Sequence, residues 1–160
     1  MITSIDIKDL ASEYEAATSR FIRAAGCVPV GFLDAGRPDG WSVRQIIHHL
    51  ADSETLAYIA LRRLLTEPTG SLILGFDEDR WARTPVLGYA ELPVGNSRAI
   101  FESVRASSLD LIRRLSIEDL EHVGQHNSVG IFSVRAWLVT YIAHPREHAD
   151  QLERARESNP

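Results

Sequence analysis

The chain has 160 residues, of which 44% are hydrophobic and 24% charged, with a formal net charge of −5; this predicts a single domain over residues 1–160 with a sizeable core. No stretch approaches the roughly 20 uncharged apolar residues of a membrane span, and the acidic balance disfavours a nucleic-acid partner, so we expect a cytoplasmic protein. Cys27, the single cysteine, is interpreted as a structural thiol and excludes an intrachain disulfide or a multi-cysteine metal site.

Apolar residues recur at helical spacing in four segments, whereas no segment shows the sustained alternation of a half-buried strand. We therefore predict an all-α domain whose helices are each long enough to cross a bundle. The predicted helices cover residues 4–25, 43–66, 96–115 and 133–156. Gly26 closes the first helix, and Ser42 with Gln45 forms a capping-box pattern before the second.

The connection between the second and third predicted helices, residues 67–95, is unusually long. Links between helices in simple bundles usually have about two to eight residues. This one contains several prolines and glycines around a short helical turn predicted at residues 77–83. We expect it to carry the chain across the bundle, so that the third helix need not pack beside the second.

Two adjacent histidines in the second predicted helix lie on different sides of it. At about 100° per residue, His49 falls at the edge of the apolar arc, in line with Ser53 and Ala60, whereas His48 points away from it. The small neighbours of His49 leave room for a metal, a water or a ligand. Alternatively, His49 is a boundary histidine bonded to a polar neighbour. His48 and His122 are interpreted as surface residues.

The fourth predicted helix places His144 and His148 one turn apart within its apolar arc. An i, i+4 histidine pair on one helix face is a recurring way to bind a divalent metal. The alternative is that hydrogen bonds alone satisfy both buried imidazoles. Pro145 removes the backbone hydrogen bond to Tyr141, so we expect this helix to kink or restart there.

His49, His144 and His148 together offer three neutral nitrogen donors from two helices. Catalytic metal sites typically use three protein ligands and keep open positions for water or substrate. These donors suit Zn, Ni, Fe or Mn, and the sequence does not select among them. Because a bound ion lowers the pKa of a coordinated water or thiol, such a site requires no nucleophile from the protein.

Other polar residues near the predicted helices have competing interpretations. His126 precedes the fourth helix and is either an additional ligand or an exposed loop residue. Asp77, Glu78 and Asp79 offer carboxylates for a general base. Alternatively, these carboxylates belong to a capped turn that Trp81 anchors on the core.

Three segments of the chain resemble, in order and spacing, the DinB/YfiT-like superfamily, whose members are regarded as metalloenzymes. They are GWSVRQIIHHLADSE at residues 40–54, FDEDRW at residues 76–81 and YIAHPREHADQLERA at residues 141–155. The resemblance implies a four-helix bundle with a crossover connection, commonly a homodimer, that binds a divalent metal such as nickel or zinc. The family's three histidine ligands match His49, His144 and His148.

The chain departs from the family's pattern at two positions. Pro145 follows the second ligand, and Glu54 stands near a place where relatives often have histidine. Some similar proteins transfer low-molecular-weight thiols such as bacillithiol or mycothiol, or use them as cofactors, while others are named hydrolases.

The resemblance therefore implies a metal-dependent enzyme that activates a thiol, or water, for attack on a small electrophilic substrate. The alternative is a non-catalytic bundle that binds a metal or a small ligand. That alternative draws support from the histidine faces, on which the sequence places no carboxylate.

Overall fold

Four long α-helices make up most of the structure, a computed structural model that describes residues 7–36 and 40–157. They are α1 (Ile7–Gly26), α2 (Val43–Thr66), α4 (Gly95–Ile112) and α5 (Val134–Glu157), with a short helix α3 (Glu78–Arg83) between α2 and α4. The helical fold class is confirmed, although residues 4–6 of the first predicted helix lie outside the described ranges. Within those ranges, no helix has the length and apolarity needed to cross a membrane.

The ends of the helices follow from local chemistry. The Ser42 side chain accepts a hydrogen bond from the Gln45 backbone, and the Gln45 side chain accepts one from the Ser42 backbone, so the predicted capping box is confirmed. Asp77 caps α3 in a similar way by accepting from the backbone of Arg80. Cys27 follows the end of α1 and is exposed, so it does not pack as the structural thiol that we expected.

The helices pack chiefly as α1 against α5 and α2 against α4, and α5 also contacts α2. The sequence suggested that the long connection would let the third long helix lie away from the second. In the structure the third long helix, α4, packs against α2. One apolar cluster surrounds Trp137, which is fully buried and donates from Nε1 to the carbonyl of Ala57 over 3.0 Å. A second cluster, which includes Phe21 and Phe101, fills the other part of the core.

A small three-stranded sheet, which the sequence did not predict, accompanies the bundle. Strand β1 (Leu72–Ile73) pairs in parallel with β2 (Val123–His126), and β2 pairs antiparallel with β3 (Gly130–Ser133). Gly124 is required where β1 approaches, because a Cβ there would lie 2.8 Å from Ile73 Cγ1. The sheet joins the connection after α2 to the hairpin that leads directly into α5.

Helix α5 runs through Pro145 without a break, so the predicted restart does not occur. Proline leaves the carbonyl of Tyr141 without its usual helical donor. That carbonyl instead accepts a hydrogen bond from Nη1 of Arg105, on α4, over 2.6 Å. The Tyr141 carbonyl is therefore satisfied although proline offers it no donor.

We predict that Trp137→Ala lowers the free energy of unfolding by about 3–5 kcal/mol, because it leaves a large cavity in the core. Urea denaturation followed by circular dichroism measures this change. Val139→Ala, on the same helix, is the control, since Val139 is 64% exposed and should change stability by less than about 0.5 kcal/mol. Equal effects of the two substitutions would contradict the packing described here.

Candidate metal centre

Three histidine side chains from α2 and α5 direct their Nε2 atoms to one point. The Nε2 atom of His144 lies 3.2 Å from that of His49 and 3.1 Å from that of His148. One turn of α5 separates His144 from His148, and the packing of α2 on α5 brings His49 to them. The structure thus brings together the three residues predicted from sequence, and these three form a group that can hold a metal ion.

The donor set fits a divalent cation. Nitrogen ligands about 2.0–2.1 Å from a tetrahedral zinc lie roughly 3.3–3.4 Å from one another, close to the spacing of these Nε2 atoms. Nδ1 of His148 donates to Oε1 of Gln151 over 2.8 Å, which leaves the lone pair of its Nε2 facing the centre. The i, i+3 spacing of this pair is a signal that sequence analysis missed.

The site favours neutral imidazoles. Burial, followed by the charges of His148 and His144, lowers the pKa of His49 from 6.5 to about 2. Burial and the charge of His144 lower the pKa of His148 to about 4, although its hydrogen bond to Gln151 opposes the shift. Both imidazoles are therefore neutral at neutral pH, so each has one ring nitrogen with a free lone pair and no imidazolium must be deprotonated before a metal binds.

Aromatic rings and one carboxylate surround His49. The ring of Trp41 meets the His49 ring edge-on, with centroids 4.7 Å apart, and Phe76 stacks on it at 5.9 Å. Oε2 of Glu78 lies 3.9 Å from Nε2 of His49, and 52% of the Glu78 side chain is exposed. Of the three carboxylates predicted in the connection, Glu78 is thus the one that faces the histidines, while Asp77 caps α3.

Two other predicted histidines have different roles. His48 was expected at the surface, but it is 6% exposed, because the connection before α4 covers that side of α2. Its ring nitrogens lie 2.7 Å from Ser97 Oγ and 3.1 Å from the Leu92 carbonyl, so it fastens this segment to α2. His126 accepts hydrogen bonds within its own hairpin, from the backbone of Ser128 and Val129, and is not in the group of three.

A buried ion pair beside the site was also missed from the sequence. Glu54 and Arg105 are each 1% exposed, and Nη1 of Arg105 lies 3.1 Å from Oε1 of Glu54. The same Oε1 atom lies 3.9 Å from Nδ1 of His144. Charged residues are usually exposed, so helical periodicity alone places neither side chain in the core.

Comparisons with known proteins identify the family of this chain. The family model described as "DinB superfamily" matches residues 13–152. Proteins of Bacillus cereus (strain AH820) and Bacillus anthracis (strain A0248), whose names carry the words "Putative metal-dependent hydrolase", are 33% identical over 121 residues, covering 76% of this chain and 68% of each relative.

Solved structures support the fold. YfiT from Bacillus subtilis, described as a probable metal-dependent hydrolase with an unusual four-helix bundle topology, has a TM-score of 0.86 at 24% identity, covering 99% of this chain and 90% of YfiT. A variant of a mycothiol-dependent maleylpyruvate isomerase has a TM-score of 0.72 at 18% identity, covering 95% of this chain and 63% of the isomerase. These similarities confirm the four-helix bundle that the sequence resemblance implied.

We predict that protein purified without chelator and incubated with zinc or nickel holds about one ion per chain, and that His144→Ala loses it. His144 is the member of the group whose Nε2 approaches both others, so its removal leaves two donors. Elemental analysis after gel filtration measures the stoichiometry. His122→Ala is the control, because His122 is exposed and outside the group. Retention of the metal by His144→Ala would contradict the proposed ligand set.

The metal-free protein should lose stability as the pH falls from about 6.5 towards 4. In this window unfolded His49 and His148 bind protons, whereas folded His49, with a pKa of about 2, stays neutral and folded His148, with a pKa of about 4, begins to bind a proton only near pH 4. Since the unfolded chain binds more protons, the free energy of unfolding decreases with falling pH, by up to about 1.4 kcal/mol per pH unit for each group.

Denaturant titrations between pH 4 and pH 7 test this dependence. His148→Gln removes one of the two groups and should make the dependence shallower. His122→Gln, which replaces an exposed histidine, should not. Equal slopes in the wild type and His148→Gln would contradict the burial of a neutral imidazole at this position.

Proposed function

Because this chain belongs to the DinB superfamily and three of its histidines converge on one point, we propose that it is a metal-dependent enzyme. His49, His144 and His148 would hold one divalent ion, which is Zn, Ni, Fe or Mn. When bound, such an ion lowers the pKa of a coordinated water or thiol towards neutrality. The substrate is a small electrophilic molecule that this nucleophile attacks.

The position of Glu78 is the observation that carries the proposal of an enzyme over that of a simple metal binder. A binder needs ligands alone, whereas an enzyme of this kind also benefits from a base near the nucleophile. Glu78 lies 3.9 Å from Nε2 of His49, on the side of the site that is open to solvent. It belongs to α3, within the long connection, so the two long metal-binding helices and the base come from separate parts of the chain.

The side chains around the site have separable tasks in this proposal. Glu78 accepts the proton of the attacking water or thiol. Trp41 and Phe76 cover the His49 ring and exclude water from that side. Trp81 packs on Phe76, with ring centroids 4.6 Å apart, and so fixes the aromatic wall to α3. Closing the site with aromatic rings also strengthens electrostatic interactions within it.

We favour a low-molecular-weight thiol such as bacillithiol or mycothiol as the nucleophile, with water as the second candidate. A structural neighbour is named as mycothiol-dependent, which supports the thiol, and the names of the curated relatives support water. In the thiol reaction the sulfur forms a bond to the electrophilic carbon, the leaving group departs with its electron pair, and Glu78 receives the thiol proton. The same base serves hydrolysis if water replaces the thiol.

Two probes distinguish these reactions in protein loaded with zinc or nickel. Bacillithiol with monochlorobimane reports thiol transfer by fluorescence, and p-nitrophenyl acetate without thiol reports hydrolysis. Turnover that requires both the metal and bacillithiol would support the transferase. Turnover of the ester without thiol would support the hydrolase. Stoichiometric binding without turnover, across a wider panel of electrophiles, would instead favour the non-catalytic bundle.

We predict that Glu78→Gln lowers the rate of the active reaction by about 10²–10⁴-fold, the usual contribution of a general base. The metal content should stay near that of the wild type, because Glu78 is not one of the three ligands. Asp79→Asn is the matched control on the same helix, since the Asp79 carboxylate lies 4.0 Å from Arg83 and 64% of its side chain is exposed. Equal rates for Glu78→Gln and the wild type would contradict this role.

A further inference from the structure

The Glu54–Arg105 ion pair lies in the core of the bundle, next to the histidines. Nη1 of Arg105 approaches both carboxylate oxygens of Glu54, at 3.1 and 3.2 Å. Removing two charges from water costs several kcal/mol per ion, and a buried ion pair often stabilises a fold no more than apolar residues would. Stability alone therefore does not explain why the core contains this pair.

The other contacts of Arg105 hold its guanidinium in one orientation. Nε donates to Thr18 Oγ1 over 2.8 Å, and Nη2 donates to the carbonyl of Tyr14 over 3.0 Å. The guanidinium also lies over the Tyr14 ring, 3.4 Å from its centroid. Nη1 donates to the Tyr141 carbonyl, which is available because Pro145 has no N–H. The carboxylate of Glu54 is thus held by a cation that cannot move freely.

His144 lies on the other side of this carboxylate. Its Nδ1 atom is buried and has no hydrogen-bond partner among the residues that the structure describes. Oε1 of Glu54 lies 3.9 Å from that atom, so a movement of about 1 Å would bring the two within hydrogen-bonding distance. If Nδ1 carries the proton, it faces an acceptor. If Nε2 carries it instead, the Nδ1 lone pair faces a carboxylate and is repelled.

We propose that Glu54, held by Arg105, is a positioning residue that fixes the Nδ1–H tautomer of His144 and directs the lone pair of Nε2 into the metal centre. This inference rests on the proposed function, because it assigns a purpose to the orientation of a metal ligand. Ligating histidines commonly donate their second N–H to a carboxylate, which orients the ring and makes the ligand more basic. The nearby Pro145 contributes indirectly, since it frees the carbonyl that helps to hold Arg105.

Glu54→Gln tests the proposal with almost no change in size. Arg105 retains the amide oxygen as its acceptor, so the amide NH₂ group turns towards His144 and favours the Nε2–H tautomer, which opposes metal binding. We expect the affinity for zinc, measured by competition with a chromophoric chelator, to fall about 10–100-fold. Asp52→Asn is the matched control on the same helix, because Asp52 accepts from the Tyr89 hydroxyl over 2.5 Å and contacts none of the three histidines by hydrogen bond. Its affinity should equal that of the wild type.

A second measurement uses the metal-free protein, so it does not depend on activity or on metal loading. Long-range ¹H–¹⁵N spectra identify the protonated nitrogen of each histidine. The proposal predicts that the Nδ1–H population of His144 is larger in the wild type and in Asp52→Asn than in Glu54→Gln. A merely structural role would lower the stability of Glu54→Gln without changing the tautomer.

The outcomes separate this inference from the proposed function. A folded Glu54→Gln variant with wild-type zinc affinity and tautomer would overturn the role of Glu54 and leave the three-histidine site intact. A wild type that binds no metal would overturn the proposed function, whereas the tautomer comparison would still decide the role of Glu54.

If Glu54→Gln does not fold, Pro145→Ala replaces it, because the restored N–H competes with Arg105 for the Tyr141 carbonyl. The same tautomer shift, to a smaller extent, is then expected, and its absence would overturn the proposal.

Discussion

The guanidinium of Arg105 links its own helix to the other three long helices of this bundle, and this buried cation constrains how they can pack. It lies on α4 and bonds to Tyr14 and Thr18 on α1, to Glu54 on α2 and to the Tyr141 carbonyl on α5. Without these acceptors, several N–H groups of the buried guanidinium would make no hydrogen bond, and each would cost free energy. Helix packings that move one helix away from Arg105 are therefore disfavoured, and the arrangement that remains is the one that brings the histidines of α2 and α5 together.

The sequence predicted the features that depend on residues close to one another in the chain. The four long helices follow from apolar periodicity, and the same periodicity distinguished His49 from His48 by their angles on α2. It did not predict that His48 is buried, because the segment that covers it, near Leu92 and Ser97, comes more than 40 residues later in the chain. The strands of two to four residues were also missed, since they are too short to show alternation.

Glu54 and Glu78 illustrate two further limits of sequence analysis. Glu78 was a candidate for a base, but the alternative of a capped turn remained open because the segment FDEDRW at residues 76–81 is compatible with both. In the structure Asp77 caps the turn, which leaves Glu78 to face the site. Glu54 was noticed as a departure from the family's pattern, but its partner is 51 residues away. The break in α5 that Pro145 predicted is absent for a similar reason. The donor that replaces the lost hydrogen bond belongs to another helix, which local sequence does not reveal.

The edge-on contact between Trp41 and His49 gives the protein an optical reporter of its own site. Of the three tryptophans, Trp41 touches the ring of His49, Trp81 is separated from it by Phe76, and Trp137 lies in the apolar core. A paramagnetic ion such as Ni²⁺ held by His49 would quench the emission of Trp41 most strongly. The buried Trp137 would continue to emit at short wavelength. Occupancy of the centre could thus be followed in unlabelled protein, in real time and at low concentration, through the shift of its intrinsic fluorescence to shorter emission wavelength.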